Sequence, residues 1–470
     1  MSSSSSPILP SLTGLVGERH VLVDATDTAP YEHDWRGAFA GRALAVVRPA
    51  STAEVASVVR ACVEQRVPMV PQGGNTGMCG GAVPDASGTA VVIALDRLNR
   101  VLDVDPRSDS MTVEAGCVLA RVQEAAAGVG RLFPLSLAAE GSCQIGGNLA
   151  TNAGGINVLR YGNTRDLTLG IEAVLPDGSV WNGLRSLRKD NRGYDLKQLF
   201  IGAEGTLGII TSAVLRLFPR PTQGVTAMVA MRHPGAAITL LSRLRDECGD
   251  AISAYELIGR PCLELVFRHI LGARDFLPEV HPWYVLLNVS GARSDMGLRD
   301  TMEAVLAEAV ERSEINDVVI AESHSQADDL WKLRESIPEA TRAEAPAMRS
   351  DIAVAIDRIP IFISRATDMM IANAPYARVI CFGHVGDGNL HFNVLPPAGQ
   401  PVPECWPGRL TELLYDLVDA MHGSFSAEHG IGQAKRLELE RYKSVVELNL
   451  MRTLKRTLDP LNLMNPGKIL

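Results

Sequence analysis

Apolar residues recur at helical spacing between residues 52 and 66. They follow the offsets i, i+3, i+4, i+7 and i+8, which lie on one face of an α-helix. These positions are Val55, Val58, Val59, Cys62 and Val63. Ser51 or Thr52 can cap the helix at its start. Similar spacing predicts further helices at residues 118–127, 236–245, 302–312, 330–334 and 410–418.

Short apolar or alternating runs predict strands, most of them bounded by turn-forming residues. The predicted strands lie at residues 67–70, 90–95, 100–104, 111–114, 169–175, 225–231, 252–257 and 283–289. Beyond a proline-rich break at residues 219–222, strands alternate with helices as in an α+β domain with an antiparallel sheet. We therefore predict an α+β protein. Its predicted domains are residues 1–222, residues 223–408 and a C-terminal helical segment at residues 409–470.

Composition narrows the class of protein. The chain has 470 residues, of which 46% are hydrophobic and 21% charged, and its net charge is −9. Such a chain is too apolar and too weakly charged to be mainly disordered. Its isoelectric point of about 5.7 argues against a nucleic-acid binder, because phosphate binding needs clustered lysine and arginine. No run of about 18 apolar residues occurs, so we expect no transmembrane helix.

The start of the chain and its cysteines bear on cellular location. The serine-rich start at residues 1–7 has neither a positively charged nor an apolar segment, so we expect no secretory signal and no mitochondrial presequence. The 8 cysteines are scattered singly without a CxxC pair, which disfavours thiolate zinc sites. Scattered thiols fit a reducing compartment. We therefore expect a cytoplasmic protein.

Glycine-rich segments lie at residues 71–81, 141–155 and 202–208. Glycine adopts positive φ and lets backbone N–H groups approach a ligand closely, and successive N–H groups form anion-binding nests. The first segment matches neither the P-loop pattern nor GxGxxG. A single segment of this kind is equally well explained by a tight surface turn. Together, the three segments favour a large cofactor that carries phosphate.

These segments also carry a resemblance to a known family. Residues 71–81, 141–155 and 186–211 resemble the FAD-binding half of the vanillyl-alcohol-oxidase-type (PCMH) flavoproteins. Within that group, the chain is most similar to the family of D-2-hydroxyglutarate, D-lactate and glycolate dehydrogenases. The resemblance implies a two-part FAD-binding domain of the PCMH type, completed by the C-terminal tail, and an α+β cap domain built on an antiparallel sheet. Because residues 74–76 contain no histidine, it implies non-covalent FAD.

The resemblance also assigns residues to the FAD site. They come from the three glycine-rich segments and from the Asn-Pro-Gly-Lys sequence near the C-terminus. They are Pro71, Gln72, Gly73, Gly74, Asn75, Thr76, Gly77, Gly141, Ser142, Gly146, Gly147, Asn148, Asn152, Gly154, Gly155, Gly205, Ile210 and Asn465.

A second cluster of chemistry-bearing residues contains His384 and His391, with Glu428 and His429 further along. On one straight strand, an offset of seven would put the two histidines on opposite faces, but the Gly-Asp-Gly turn at residues 386–388 can bring them to one side. Two histidines and a carboxylate suit Zn²⁺, Mn²⁺ or Fe²⁺. On spacing alone, ordinary structural histidines are the better explanation.

The resemblance reverses that preference. It implies that His384, His391 and Glu428 bind a divalent metal, with Zn²⁺ the first choice. It further implies that His429 is the general base beside the substrate hydroxyl and that Asn393 contacts a substrate carboxylate. Imidazole exchanges protons near neutral pH and therefore suits this role.

Two arginines are candidates for binding substrate carboxylates, because guanidinium forks bind carboxylates with two hydrogen bonds. Arg334 matches a substrate arginine of the resembled family. Arg349 stands where that family carries lysine, and Pro338 stands where it carries threonine; both departures concern the distal end of the substrate. The alternative for each arginine is a solvated surface charge.

The function that these observations predict is an FAD- and metal-dependent dehydrogenase that oxidises a D-2-hydroxy acid to the 2-oxo acid. The first choice of substrate is D-2-hydroxyglutarate, and D-lactate, D-malate or another D-2-hydroxy acid is the alternative. A metal-dependent hydrolase and a non-catalytic flavin-binding protein are further alternatives. The expected partners are the hydroxy acid and a separate electron acceptor, which is an electron-transfer flavoprotein, a quinone or a cytochrome. A homodimer is common among similar proteins.

Overall fold

The chain forms two compact units in the computed structural model, which describes residues 6–293 and 296–470. Most of the serine-rich start, residues 1–5, lies outside the described residues. The first unit comprises residues 1–154, 162–220 and 428–470, and the second comprises residues 155–161 and 221–427. The three predicted domain ranges stay a prediction. The main change of unit falls between Arg220 and Pro221, inside the proline-rich break, and residues 409–427 cluster with the second unit.

The helices of the described residues are mostly short. They are α1 (Ile8–Val16), α2 (Ala25–Glu32), α3 (Thr52–Glu64), α4 (Leu119–Ala127), α5 (Ile145–Ala150), α6 (Val158–Tyr161), α7 (Lys197–Phe200), α8 (Pro234–Cys248), α9 (Arg260–His269), α10 (Leu298–Glu311), α11 (His324–Glu335), α12 (Ile337–Ala343), α13 (Ile359–Asn373), α14 (Trp406–Ala420), α15 (Arg436–Tyr442) and α16 (Val445–Leu458).

The strands form sheets within each unit. They are β1 (Val21–Leu22), β2 (Ala43–Val47), β3 (Met69–Gln72), β4 (Ala90–Ala94), β5 (Val101–Asp105), β6 (Ser110–Glu114), β7 (Arg131–Leu132), β8 (Thr168–Val174), β9 (Val180–Asn182), β10 (Ile209–Arg216), β11 (Phe218–Pro219), β12 (Gln223–Met231), β13 (Ile252–Gly259), β14 (Trp283–Gly291), β15 (Asp317–Ile320), β16 (Ile352–Ala353), β17 (Arg378–Gly383) and β18 (Asn389–Leu395).

The first unit contains a small sheet in the order β1-β2-β4-β3. β4 pairs in parallel with β2 and β3, and all of its residues are buried, as expected for a strand covered on both faces. The predicted helix α3 is confirmed, and its start is capped by Ser51, whose hydroxyl accepts the Glu54 N–H. Its apolar face packs into a core that also contains Ile8 and Leu12 of α1.

A second sheet of this unit is antiparallel, in the order β5-β6-β10-β8-β9. The C-terminal tail returns to the same unit. Met464 pairs with Met69 of β3 in a parallel bridge, and the Asn465 N–H donates to the Met69 carbonyl at 2.7 Å. This return agrees with the predicted two-part FAD-binding domain.

The second unit is built on a seven-stranded sheet in the order β15-β12-β14-β13-β17-β18-β16. Its strand pairs are antiparallel, so the predicted antiparallel sheet is confirmed. In the register of the sheet, Leu257 of β13 faces Gly383 of β17, and Phe382 of β17 faces His391 of β18. β13, β17 and β18 therefore carry neighbouring residues of the candidate site.

Helix α5 was not predicted, because it lies inside the second glycine-rich segment and glycine is a poor helix former. The surrounding backbone stabilises it: the Gly146 N–H donates to the Ala115 carbonyl at 2.7 Å. A Cβ at position 146 would lie 2.8 Å from the Ala115 Cβ. Glycine is therefore needed here for close approach, and tertiary contacts outweigh its low helix propensity.

The cysteines of the chain are all free thiols, and six of the eight are buried. Burial raises the pKa of Cys62 to about 12 and that of Cys117 to about 11, so these thiols stay protonated and unreactive. Within residues 6–293 and 296–470, no helix combines the length and the apolar character that crossing a membrane requires.

Gly388 in the turn between β17 and β18 generates a test of the second unit. Its φ is +93°, and a Cβ there would lie 2.3 Å from the Val354 carbonyl oxygen. We expect Gly388→Ala to lower the free energy of unfolding by about 2 kcal/mol or more, because it combines left-handed strain with a backbone clash. Denaturant unfolding followed by circular dichroism measures this loss.

Gly408→Ala is the matched control for that variant. Gly408 lies in α14, and a Cβ there would meet nothing within 4 Å. Alanine should stabilise this helical position by about 0.5–1 kcal/mol. Equal stability of the two variants would contradict the interpretation of the turn.

Candidate active site

The three glycine-rich segments of the first unit converge on one open cavity of about 940 Å³. Many of the residues assigned to FAD line it. They are Pro71, Gln72, Gly73, Gly74, Asn75, Thr76, Gly77, Gly146, Gly147, Asn148, Gly205 and Ile210. The predicted base His429 lines the same cavity. The sequence therefore indicated one site from segments that are far apart along the chain.

The first segment follows β3 and contacts the second segment closely. A Cβ on Gly74 would lie 2.1 Å from the Ser142 carbonyl oxygen, so only glycine fits at this position. Asn75 has a φ of +52°, a conformation that asparagine tolerates better than most residues. Its side-chain amide donates to the His33 carbonyl at 2.7 Å. The loop is thus shaped by contacts within the unit.

The lining of the cavity fits a ligand rich in hydroxyl and N–H groups. Among the described residues, the buried Gln144 Oε1 and Asn148 Oδ1 have no hydrogen-bond partner, and buried acceptors of this kind need a donor. Gly77 and Gly147 face open space where a Cβ would meet nothing within 4 Å. The ribityl hydroxyls and ring N–H of FAD can supply the missing donors, so the residues present fit this cofactor.

Other residues assigned to FAD do not line the cavity. They are Gly141, Ser142, Asn152, Gly154, Gly155 and Asn465. Two of them have clear supporting contacts. The Asn152 Oδ1 accepts the Arg165 N–H at 2.9 Å, and Asn465 donates from its side chain to the carbonyls of Gly81 and Glu204 at 3.0 and 2.8 Å. Gly155 belongs to the second unit.

Sequence analysis missed Glu204, which is 8% exposed and lines the cavity. Its carboxylate accepts the N–H groups of Ile431 and Gly432 at 2.7 and 2.8 Å. Burial raises the pKa of this carboxyl group, and the two N–H donors act in the opposite direction. Glu204 thus anchors the segment that follows His429. Its only local signal was its position beside the assigned Gly205.

Glu428 and His429 begin the last segment of the first unit. The His429 Nε2 lies 3.8 Å from the Glu428 Oε1. The next residue is also fixed within the unit, because the Cys79 thiol donates to the Gly430 carbonyl at 3.4 Å. These contacts hold His429 at the cavity.

In the second unit, the turn between β17 and β18 brings the two histidines together. The rings of His384 and His391 have centroids 6.1 Å apart and a T-shaped arrangement, and one potential ligand nitrogen of each lies within 4.8 Å of the other. The His384 Nδ1 lies 3.1 Å from the Gly155 carbonyl oxygen. Because a carbonyl oxygen can only accept a hydrogen bond, Nδ1 carries the hydrogen in the neutral imidazole. Nε2 is then the nitrogen that can bind a metal.

Arg334 of α11 is buried, with 6% exposure, so its alternative explanation as a solvated surface charge is wrong. Its Nε donates to the Glu256 Oε2 at 2.7 Å, and Glu256 of β13 is fully buried. Burial opposes ionisation of Glu256, but the charge and hydrogen bond of Arg334 and the electrostatic interaction with the neighbouring His384 outweigh it and hold its pKa below the ordinary value. The Arg334 guanidinium carbon lies 4.8 Å from the centre of the Phe382 ring. Sequence analysis did not identify Glu256.

Asn393 lies two residues beyond His391 on β18, so their side chains lie on the same face of the sheet. Its Oδ1 accepts the Ser350 N–H at 3.3 Å, so the amide NH₂ group is oriented as the donor. Arg349, the residue before Ser350, is exposed. The second unit thus brings Arg334, His384, His391 and Asn393 to one region.

Comparisons with known proteins identify the class. Residues 43–183 match the FAD binding domain, and residues 220–469 match the C-terminal domain of FAD linked oxidases. The solved structures of p-cresol methylhydroxylase and of 4-ethylphenol oxidase from Gulosibacter chungangensis share the fold, each with a TM-score of 0.75. They are 15% and 17% identical to the chain, cover 100% of it and are themselves covered to 97% and 98%. The chain therefore has the PCMH-type flavoprotein fold.

Similar sequences then define the family. A D-2-hydroxyglutarate dehydrogenase of Xanthomonas citri pv. viticola is 38% identical over 467 residues, with 98% of this chain and 97% of the relative covered. The mitochondrial D-2-hydroxyglutarate dehydrogenase of Bos taurus is 37% identical, with 96% and 81% covered. A protein of Schizosaccharomyces pombe provisionally named D-lactate dehydrogenase is 34% identical, with 95% and 85% covered. The chain belongs to the D-2-hydroxyglutarate dehydrogenase family of FAD-dependent D-2-hydroxy acid dehydrogenases.

The anchor at Glu204 can be tested by Glu204→Gln. A glutamine amide keeps the shape but cannot accept both N–H groups as the carboxylate does, and each buried donor left unpaired costs about 1–3 kcal/mol. We expect a lower unfolding midpoint and slower substrate-driven reduction of the flavin. Thermal unfolding and anaerobic stopped-flow absorbance measure the two effects.

Glu124→Gln serves as the control for Glu204→Gln, because Glu124 lies exposed on α4 of the same unit. It should behave like the parent protein. If Glu204→Gln matched the parent in both measurements, the carboxylate would not be the anchor of the His429 segment.

Proposed function

We propose that this protein oxidises D-2-hydroxyglutarate to 2-oxoglutarate with non-covalent FAD and a bound divalent metal. The observation that carries the proposal is the cluster in the second unit, where an arginine fork, an amide donor and two imidazoles share one region. These groups suit an anionic hydroxy acid bound beside a metal. The names of the similar proteins from Xanthomonas citri pv. viticola and Bos taurus support this choice of substrate.

The first unit supplies the flavin site in this proposal. FAD, when bound, accepts the hydride that leaves Cα of the substrate. The loop at residues 71–77 and residues 146–148 of α5 line the cavity, and Gln144 and Asn148 present buried acceptors to the cofactor. The absence of histidine from residues 74–76 supports a non-covalent attachment.

The metal ligands in this proposal are His384, His391 and Glu428. The two histidines converge in the second unit, and Glu428 directly follows Ala427, whose N–H donates to the Asp351 carbonyl of that unit at 3.3 Å. Two nitrogen ligands and one carboxylate favour Zn²⁺, with Mn²⁺ and Fe²⁺ as alternatives. A divalent ion, when bound, lowers the pKa of a coordinated hydroxyl group.

His429 takes the hydroxyl proton in the proposed reaction. Its imidazole lines the cavity of the first unit, and proton transfer to a positioned imidazole is a common form of general base catalysis. The proton moves to His429 while the hydride leaves Cα, so the alcohol becomes a ketone. The reaction thus removes two electrons from the substrate, which a separate acceptor finally receives.

The substrate carboxylates bind Arg334, Asn393 and Arg349 in this proposal. Within the described part of the chain, the terminal NH₂ groups of Arg334 make no hydrogen bond, since its contact with Glu256 uses Nε. The Asn393 amide is oriented as a donor by the Ser350 N–H. D-lactate is the second candidate substrate, supported by the name of the similar protein from Schizosaccharomyces pombe.

We further propose a cytoplasmic location and a separate electron acceptor that is an electron-transfer flavoprotein, a quinone or a cytochrome. The buried free thiols support a reducing compartment, although the Bos taurus relative is named mitochondrial. Association into a homodimer stays a prediction, and sedimentation velocity measures it directly.

Flavin reduction under anaerobic conditions tests the proposed function. D-2-Hydroxyglutarate should bleach the yellow protein faster than D-lactate or D-malate, and L-2-hydroxyglutarate should leave it yellow. Chelator treatment should stop the bleaching without loss of colour, and added Zn²⁺ should restore it. A colourless protein that takes up no FAD would contradict the flavin site. Bleaching that persists in protein shown to contain no metal would contradict the metal site.

His429→Ala tests the proposed base. We expect FAD content to stay unchanged and reduction by the hydroxy acid to slow by about 10²–10⁴-fold, because proton transfer to the imidazole is lost. Added imidazole should restore part of the rate. His324→Ala, at an exposed position on α11, is the control and should reduce like the parent. An equally fast His429→Ala variant would exclude His429 as the base.

A further inference from the structure

We propose that Glu256 is a positioning residue that orients both the substrate arginine Arg334 and the metal ligand His384. The inference rests on the proposed function and adds to it a residue that touches neither substrate nor metal. Glu256 lies on β13, next to β17 in the sheet, and its side chain is fully buried. Each of its carboxylate oxygens faces a different member of the cluster.

One oxygen fixes the arginine. The Arg334 Nε donates to the Glu256 Oε2 at 2.7 Å, and the guanidinium plane is supported by the Phe382 ring 4.8 Å away. A guanidinium held at Nε and on its face has little freedom to rotate. Its terminal NH₂ groups are then preorganised as a fork for a carboxylate, which needs planar, two-pronged donors.

The other oxygen faces the metal ligand. The Glu256 Oε1 lies 3.6 Å from the His384 Nδ1, and that Nδ1 lies 3.1 Å from the Gly155 carbonyl oxygen. The carbonyl is the hydrogen-bond acceptor, because 3.6 Å is too long for a hydrogen bond. The nearby carboxylate charge favours the Nδ1–H tautomer and strengthens Nε2 as a ligand, as outer acceptors of metal-binding histidines commonly do.

An unpaired oxygen in the interior argues for this role. Within the described residues, the buried Glu256 Oε1 has no hydrogen-bond partner, and leaving a buried acceptor unpaired is destabilising. If the Glu256–Arg334 ion pair served only stability, the unpaired oxygen would bring no benefit, because two apolar side chains of similar size are often as stable as a buried ion pair. A carboxylate that also faces the imidazole gives the oxygen an electrostatic partner and couples the two binding groups.

Glu256→Gln tests the coupling, because it keeps the shape and the acceptor for Arg334 but removes the charge beside His384. We expect metal affinity to fall about 10–100-fold, measured as metal content by mass spectrometry after dialysis against chelator-buffered Zn²⁺. The dissociation constant for D-2-hydroxyglutarate, from the concentration dependence of flavin reduction, should rise at least about tenfold, because a neutral amide holds the Arg334 guanidinium less firmly than the carboxylate does. FAD content should be unchanged, because the residues that line the flavin cavity lie in the first unit.

Two further variants make the result specific. Glu256→Asp keeps the charge and should recover part of both affinities, and it decides the question if Glu256→Gln yields no folded protein. Glu344→Gln is the matched control, because Glu344 forms an ion pair with Arg378. Arg378 is the first residue of β17, and Gly383, beside His384, is the last. It should leave metal affinity and substrate binding unchanged.

The outcomes separate this inference from the proposed function. A parent protein that binds no metal or is not reduced by D-2-hydroxyglutarate would overturn the proposed function. The role of Glu256 alone would be overturned, with the proposed function intact, if the parent does both and Glu256→Gln binds metal and substrate as tightly as the parent. If Glu256→Gln does not fold, a Glu256→Asp variant with the metal and substrate affinities of the parent has the same meaning. Loss of both affinities with FAD content intact would support the positioning role.

Discussion

A buried carboxylate holds the end of the chain in the first unit. Glu204 accepts two backbone N–H groups from Ile431 and Gly432, and the first of these contacts spans 227 residues of sequence. It can form only after the C-terminal segment has returned to the glycine-rich loops. Because Gly430 and Gly432 have positive φ, this segment turns tightly around the carboxylate. His429 stands at the start of that turn, so the folding of the unit and the position of the proposed base depend on the same interaction.

The second unit uses a buried carboxylate in a comparable way. Glu256 links helix α11 to the turn between β17 and β18. One of its oxygens accepts a hydrogen bond from Arg334 of α11, and the other lies 3.6 Å from the His384 Nδ1 at the start of the turn. A carboxylate suits such a link because its two oxygens point in fixed directions and can face two different groups. In a low-dielectric interior, a misplaced charge is costly, so the arrangement strongly favours one geometry. Rigid placement is what a metal site and an anion receptor require.

Sequence periodicity was sufficient for elements whose burial pattern is local, such as α3 and the strands β12, β13 and β14 of the antiparallel sheet. It failed at α5, where glycine suggests a loop and contact with Ala115 decides instead. The glycine-rich segments indicated the cavity because close backbone approach demands glycine. Glu204 and Glu256 escaped detection because their partners lie 227 and 78 residues away. No local pattern distinguishes a buried anchoring carboxylate from one of the many exposed acidic residues.

The number of fixed carboxylate receptors bears on the choice between a mono- and a dicarboxylate substrate. In the proposed site, a metal and the Asn393 amide would suffice for a hydroxy acid with a single carboxylate. Arg334 is then a buried fork, prepared by Glu256 and Phe382, with no anion to bind. A site built to hydrogen-bond a group discriminates strongly against a ligand that lacks it, because its own buried donors stay unpaired. This favours D-2-hydroxyglutarate over D-lactate. Pro338 offers no hydroxyl at the second residue of α12, and Arg349 is exposed. In the proposed site, the distal carboxylate would therefore depend on Arg334 more heavily than in a site that has a threonine and a lysine at these positions.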